Sequence, residues 1–171
     1  MMNETIPVAL ITGASRGLGR GIATRLASLG FSVAVNYVNS KVAADETIEL
    51  CRKNQLNGRQ QFISIKADMG RREDRGMLVE QTLKEFGRID AFVSNAGIGP
   101  RVRSDITETS LESYEEVFRV NLEAPFFLSQ MIANYWLNDK PVIVPPNKEA
   151  DAEKSVILFK NVSKKFGRPA R

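Results

Sequence analysis

Between Val8 and Ser94 the chain alternates short unbroken apolar runs with longer stretches whose apolar residues recur every three or four positions. Unbroken runs of β-branched and aliphatic residues fit strands buried on both faces, and the longer spacing fits helices packed along one side. The predicted strands are Val8–Thr12 (VALIT), Phe31–Tyr37 (FSVAVNY), Gln61–Asp68 (QFISIKAD) and Ala91–Ser94. Between them, RGIATRLASLG predicts a helix with Ile22, Leu26 and Leu29 inward and Gly30 as its stop. A second helix is expected over Ala43–Asn57, with Ile48 and Leu56 inward and Gly58 at its end, and a third over Arg71–Gly87. Strands alternating with helices give parallel βαβ units, so the expected class is α/β, a doubly wound parallel sheet between two helical layers.

After Gly99 the pattern changes. A polar stretch (PRVRSDITETS) leads into Leu111–Asn138, which reads as a helix pair or as one helix disturbed near Asn121 and Pro125. Asn138–Lys154 holds three prolines and many charges and is expected to be loop. Ser155–Val162 (SVILFKNV) is a fifth candidate strand with only nine residues after it, so the sheet is expected to be incomplete. An open sheet edge invites pairing, and a homo-oligomer or another partner is the natural cover.

Composition narrows the function classes. With 171 residues, 43% apolar and 26% charged, the chain suits one globular domain over 1–171. Cys51 is the only cysteine, which excludes an internal disulfide and points to reducing surroundings. No run approaches a membrane span, and Glu4 with the glycine turn breaks any secretory signal, so the expected location is cytoplasmic. There is no histidine, which removes the commonest zinc ligand and neutral-pH base; no metal site is expected. The net charge of +4 comes partly from the basic tail Lys160–Arg171. No zinc-finger spacing, long basic helix or Arg/aromatic repeat accompanies it, so nucleic acid is not an expected partner.

The chemistry is concentrated in the first turn. Gly13, Gly17 and Gly19 lie between a predicted strand and a predicted helix. In that setting Gly13 permits the tight turn, Gly17 lets phosphate approach the backbone, and Gly19 lets the helix pack closely. Unpaired amides at the helix start then face a pyrophosphate. The same glycines also serve an ordinary βα turn.

The segment from Thr12 to Gly19 (TGASRGLG) resembles the TGxxxGxG cofactor signature of the short-chain dehydrogenase/reductase family. Asp68 at the end of the third strand, Asn95-Ala96-Gly97 after the fourth and Asn121 in RVNLEAPFFLSQ follow in the family's order. The resemblance covers Val8–Ala133, and the wording of Ala91–Gln130 is close to the 3-oxoacyl-carrier-protein reductase branch. It implies a Rossmann-like fold and cofactor contacts from Gly13, Ser15, Arg16, Gly17, Leu18, Gly19, Asn36, Asp68, Met69, Asn95, Ala96 and Gly97. It further implies hydride transfer between a nicotinamide cofactor and a carbonyl such as a 3-oxoacyl thioester.

Relatives that prefer NAD carry an acidic residue at the end of the second strand, where this chain has Val35-Asn36-Tyr37. Arg16 is placed to meet a 2′-phosphate, so NADP(H) is expected over NAD(H). The family's active site also uses a serine, and a tyrosine followed four residues later by lysine. Asn121 holds the family's asparagine position, whereas Asn161 falls where the serine is expected. Tyr37, Tyr114 and Tyr135 lack a lysine four positions on. The expectation is a catalytically deficient relative lacking the last strands and substrate-pocket helices. A non-catalytic nucleotide-binding or regulatory module, or a non-functional gene fragment, is the alternative.

Overall fold

The computed structural model describes residues 5–138. Strands β1 (Val8–Ile11), β2 (Ser32–Tyr37), β3 (Phe62–Lys66) and β4 (Ala91–Val93) form one parallel sheet in the order β3-β2-β1-β4. Leu10 aligns with Ala34 on one side and with Phe92 on the other. Successive side chains leave opposite faces. Ala9, Ile11, Val33, Val35 and Phe62 pack beneath α1 (Gly17–Ser28) and α2 (Lys41–Lys53). Leu10, Ala34 and Ile65 pack beneath α3 (Arg72–Phe86) and α5 (Ala124–Asn138). The result is the three-layer, Rossmann-like α/β/α arrangement that the pattern predicts. The fifth strand at Ser155–Val162, the loop before it and Asn161 lie outside the described residues.

Two helical details differ from expectation. In α1 the fully buried positions are Gly19, Ala23 and Ala27, while Ile22, Leu26 and Leu29 are only partly buried beside them. Small residues take the contact line because α1 lies close against the first turn, and the larger ones fill the margins. The second helix stops at Lys53 instead of Asn57. Asn54 caps it, its side-chain amide donating to the Leu50 carbonyl at 2.8 Å. The following turn then wraps around Gln60, whose carbonyl accepts from the Leu56 and Asn57 amides and whose amide group reaches Ala27 and Phe31 carbonyls. That wrapping turns Leu56 outward, at 48% exposure.

The segment after the polar stretch is one helix with a local defect. Helix α4 (Leu111–Phe118) runs through a π-helical turn at Arg119–Glu123 into α5. Ser110 opens α4 by accepting the Ser113 amide at 3.2 Å. Val120, Ala124, Leu128 and Ile132 bury the inner line, and the Trp136 indole donates to the Ile89 carbonyl at 2.7 Å. A π turn inserts an extra residue and re-aims the side chains around it. Asn121 lies inside this turn.

At the opposite end of the sheet, Asp90 locks the start of β1. Its carboxylate accepts the Val8 amide at 2.8 Å and both arms of the Arg88 guanidinium at 2.7 Å. Burial pushes its pKa up, outweighing the Val8 and Arg88 donors, which pull it down. A carboxyl whose folded value exceeds its unfolded one holds its proton better in the folded chain. Its contribution to stability is therefore present below the ordinary carboxylate range and lost as pH rises through the raised value. Urea unfolding between about pH 4 and pH 7 should show a declining component of stability that Asp90→Asn abolishes. The same slope in both proteins would show that Asp90 titrates as it does in the unfolded chain.

Candidate functional site

In an open α/β sheet the crevice lies at the carboxyl ends of strands where the chain order reverses. Here that place is the junction of β1 and β4, and the site is built on Thr12. Its side chain is buried, and its hydroxyl accepts the amides of Asn95 and Ala96 at 2.9 and 3.0 Å. Asn95 returns the contact, its amide group donating to the Thr12 and Gly13 carbonyls at 2.9 and 3.0 Å. The glycine turn after β1 and the Asn95-Ala96-Gly97 segment after β4 are thus stitched face to face.

The glycines have separate reasons to be there. Gly13 has a φ of 62°, and a β-carbon on it would lie 2.9 Å from the Ala96 α-carbon. A β-carbon on Gly19 would stand 2.6 Å from both the Gly13 carbonyl and the Asn95 amide nitrogen. Gly17 also has a positive φ, 58°, yet its β-carbon would meet no atom within 4 Å. Gly13 and Gly19 close the turn against its surroundings. Gly17 faces open space at the start of α1, where no side chain caps the helix and its first turn carries no acidic residue.

The turn is also tied to the next layer. The Arg20 guanidinium donates to the Ser15 carbonyl at 2.7 Å, to Ala43 and to Glu46, and the Thr47 hydroxyl donates to the same Ser15 oxygen. Arg16 and Leu18 are exposed beside it. The Arg16 guanidinium makes no hydrogen bond or ion pair among the described residues.

Asn36, expected as a cofactor contact, spends its side chain on the protein itself. It is fully buried: its carbonyl accepts the Gly13 amide at 3.1 Å and its amide donates to the Ala67 carbonyl at 2.9 Å. Both ends of the side chain are committed to joining the first turn, β2 and the segment after β3. Asp68 stands at that segment, with its carboxylate on the Gly70 amide and its own amide on Asp74, each at 2.8 Å. Met69 is buried next to it.

Asn121 reaches back over the end of β4. Its carbonyl accepts the Ile98 amide at 2.9 Å and its amide donates to the Ile98 carbonyl at 2.8 Å. Gly97 passes beneath it, where a β-carbon would lie 3.4 Å from the Asn121 side-chain oxygen. The tyrosines do not converge here by sequence motif or packing. Tyr37 is buried at the end of β2, Tyr114 stacks on Phe118, and Tyr135 packs against the α3–α5 core. Cys51 is buried on the inner side of α2, and burial pushes its thiol up to about 11, which makes it a poor nucleophile.

Two residues of this site escape sequence reading. Thr12 was visible as the first letter of the glycine signature, but its double acceptor role needs the return of β4 alongside β1. Arg20 looks like an ordinary polar residue of an amphipathic helix. Only the packing of α1 on α2 shows that it holds the turn.

The family model described as short chain dehydrogenase matches residues 7–144. The chain is 40% identical to a hydroxynaphthalene reductase of Aspergillus fumigatus over 123 residues, covering 72% of this chain and 43% of that protein. It therefore spans less than half the length of that curated relative. A 3-oxoacyl-[acyl-carrier protein] reductase from Brucella melitensis, solved in complex with NAD, superposes with a TM-score of 0.69 at 31% identity, over 80% of this chain and 51% of that one. A metagenomic short-chain oxidoreductase solved with NADP superposes with a TM-score of 0.69 at 26% identity, over 77% and 57% respectively.

The Thr12 hydroxyl satisfies two backbone amides that a hydrocarbon side chain would abandon. Thr12→Val should cost about 1–3 kcal/mol in urea unfolding, while Thr12→Ser should retain most of the stability. Equal losses in the two variants would show that the methyl group, and not the hydroxyl, holds β1 to β4.

Proposed function

Because the chain belongs to the short chain dehydrogenase family, we propose that residues 1–171 form one nucleotide-binding unit that takes NADP(H) across the ends of β1 and β4. The observation that carries this reading is the uncapped start of α1 beside the open space over Gly17. Amides at a helix start and the positive end of its dipole suit a pyrophosphate. In this reading Ser15 to Gly19 hold the pyrophosphate, with Gly13 shaping the turn. Asp68 and Met69 border the adenine end, and Asn95 to Gly97 border the nicotinamide end. Asn36 supports the floor from beneath.

The choice of NADP(H) rests on this chain's own residues, since the solved relatives carry one cofactor or the other. No carboxylate ends β2 to hold a ribose diol or repel a 2′-phosphate. Arg16 is exposed, and no partner among the described residues competes for its guanidinium. A planar, permanently charged group of that kind favours a phosphate dianion over a ribose hydroxyl.

The bound cofactor would supply a hydride for a carbonyl, with a 3-oxoacyl thioester as the substrate class closest to the resemblance. Carbonyl reduction also needs a proton donor at the oxygen. Within these 171 residues no tyrosine has a lysine four positions on, and Asn161 stands where the family's serine is expected. Asn121 spends both polar ends on Ile98, which makes it a clamp on the strand end in this chain. The reading is a family member that binds the cofactor and, as this chain alone, is catalytically deficient.

Fluorescence titration should show tighter binding of NADPH than NADH. Arg16→Ala should weaken NADPH roughly tenfold, the loss of one charge-assisted contact, and leave NADH nearly unchanged. NADPH oxidation with a panel of ketones, quinones and 3-oxoacyl thioesters should stay at background. Tighter NADH binding would overturn the cofactor choice. Turnover abolished by a substitution in this chain would overturn the deficiency.

A further inference from the structure

The Arg75 side chain is almost wholly buried, at 1% exposure, although α3 is otherwise a surface helix with charged residues along its outer side. Its three nitrogens go to three different places. Nε donates to the Met69 carbonyl at 2.7 Å, one terminal nitrogen pairs with the Glu123 carboxylate at 3.0 Å, and the other points to the Arg119 carbonyl at 3.4 Å. Met69 belongs to the loop after β3. Arg119 and Glu123 are the first and last residues of the π turn. Within that turn Asn121 grips both the amide and the carbonyl of Ile98, after β4.

A buried guanidinium is costly unless its donors are met, and here all three of its nitrogens donate, to the loop after β3 and to the π turn, instead of to a helix neighbour. The Arg119 carbonyl sits where the helix ladder is shifted by the extra residue, so Arg75 supplies a donor at the defect itself. Arg72 adds a second contact to the same Glu123 oxygen, at 3.0 Å, from the exposed side. These pairings draw the Glu123 carboxyl below the usual glutamate range, the hydrogen bond from Arg75 being the largest cause.

We propose that Arg75 is a positioning residue that couples the two ends of the cofactor crevice: through Met69 it sets the loop after β3, and through the π turn and Asn121 it sets the loop after β4. It touches neither cofactor nor substrate. The proposal rests on the cofactor reading above for its effect on binding, but the coupling itself is a property of the protein alone.

The test is amide hydrogen exchange by NMR on the full chain without ligand, followed by NADPH titration. Arg75→Met should raise exchange about tenfold at both Gly70 and Ile98, whose amides are held by Asp68 and Asn121, while core amides such as Val33 keep their rates. Glu123→Gln, a milder change should Arg75→Met fail to fold, should raise exchange at Ile98 and spare Gly70. Arg75→Lys should restore the Met69 side in part and the π-turn side poorly, because an ammonium cannot span both contacts as a planar fork does. NADPH affinity should fall roughly tenfold in Arg75→Met and less in Glu123→Gln. Unchanged exchange at Ile98 in both variants would overturn the coupling, as would a uniform rise that includes Val33. If the parent chain binds no NADPH, the cofactor reading fails, and the exchange results still decide the coupling.

Discussion

Every strand of a parallel sheet ends on the same side as its neighbours, and the chain must leave that edge without stranding backbone amides and carbonyls. This chain meets the constraint with short polar side chains that turn inward. Thr12 takes two amides from the segment after β4, Asn95 returns to two carbonyls of the first turn, and Asn36 bridges the first turn to the segment after β3. These side chains satisfy the floor, while no side chain among the described residues caps the amides at the start of α1. The crevice exists because the support beneath it is complete.

The layers above and below serve that edge in different ways. On one face, Gly19, Ala23 and Ala27 bring α1 close to the sheet, and Arg20 with Thr47 holds the turn against α2. On the other face, the helix from Leu111 to Asn138 carries a π turn that directs Asn121 onto Ile98, and a buried arginine on α3 meets that turn. Glycine supplies close approach on the first face and charge supplies it on the second. A buried guanidinium pairing with Glu123 favours one geometry of the turn, because each alternative leaves a charged group unmatched.

The chain belongs to the short chain dehydrogenase family, whose model matches residues 7–144. The match to the curated relative covers 43% of that protein's length. The contact set around Thr12, Gly13 and Asn95 requires nothing beyond the described residues. Within the 171 residues no tyrosine has a lysine four positions on.

The sequence by itself determined the α/β class, the four strands, the glycine turn and the place of Asn121. Those are local matters: an apolar run of strand length, a turn that only glycine fits, and helical spacing all act over a few neighbouring residues. Tertiary structure decided the rest. Asn36 reads as the end of a strand, and it is the return of β3 beside β2 that buries it and uses both ends of its amide. Leu56 reads as a core position, yet Gln60 gathers the following turn and sends it to solvent. A disturbance near Asn121 and Pro125 was legible, but not its form as a π turn met at both ends by Arg75, 44 and 48 residues away. Nothing in the sequence separates Arg75 from the other charged residues of its helix, because a side chain's burial is set by what packs over it and not by its neighbours in the chain.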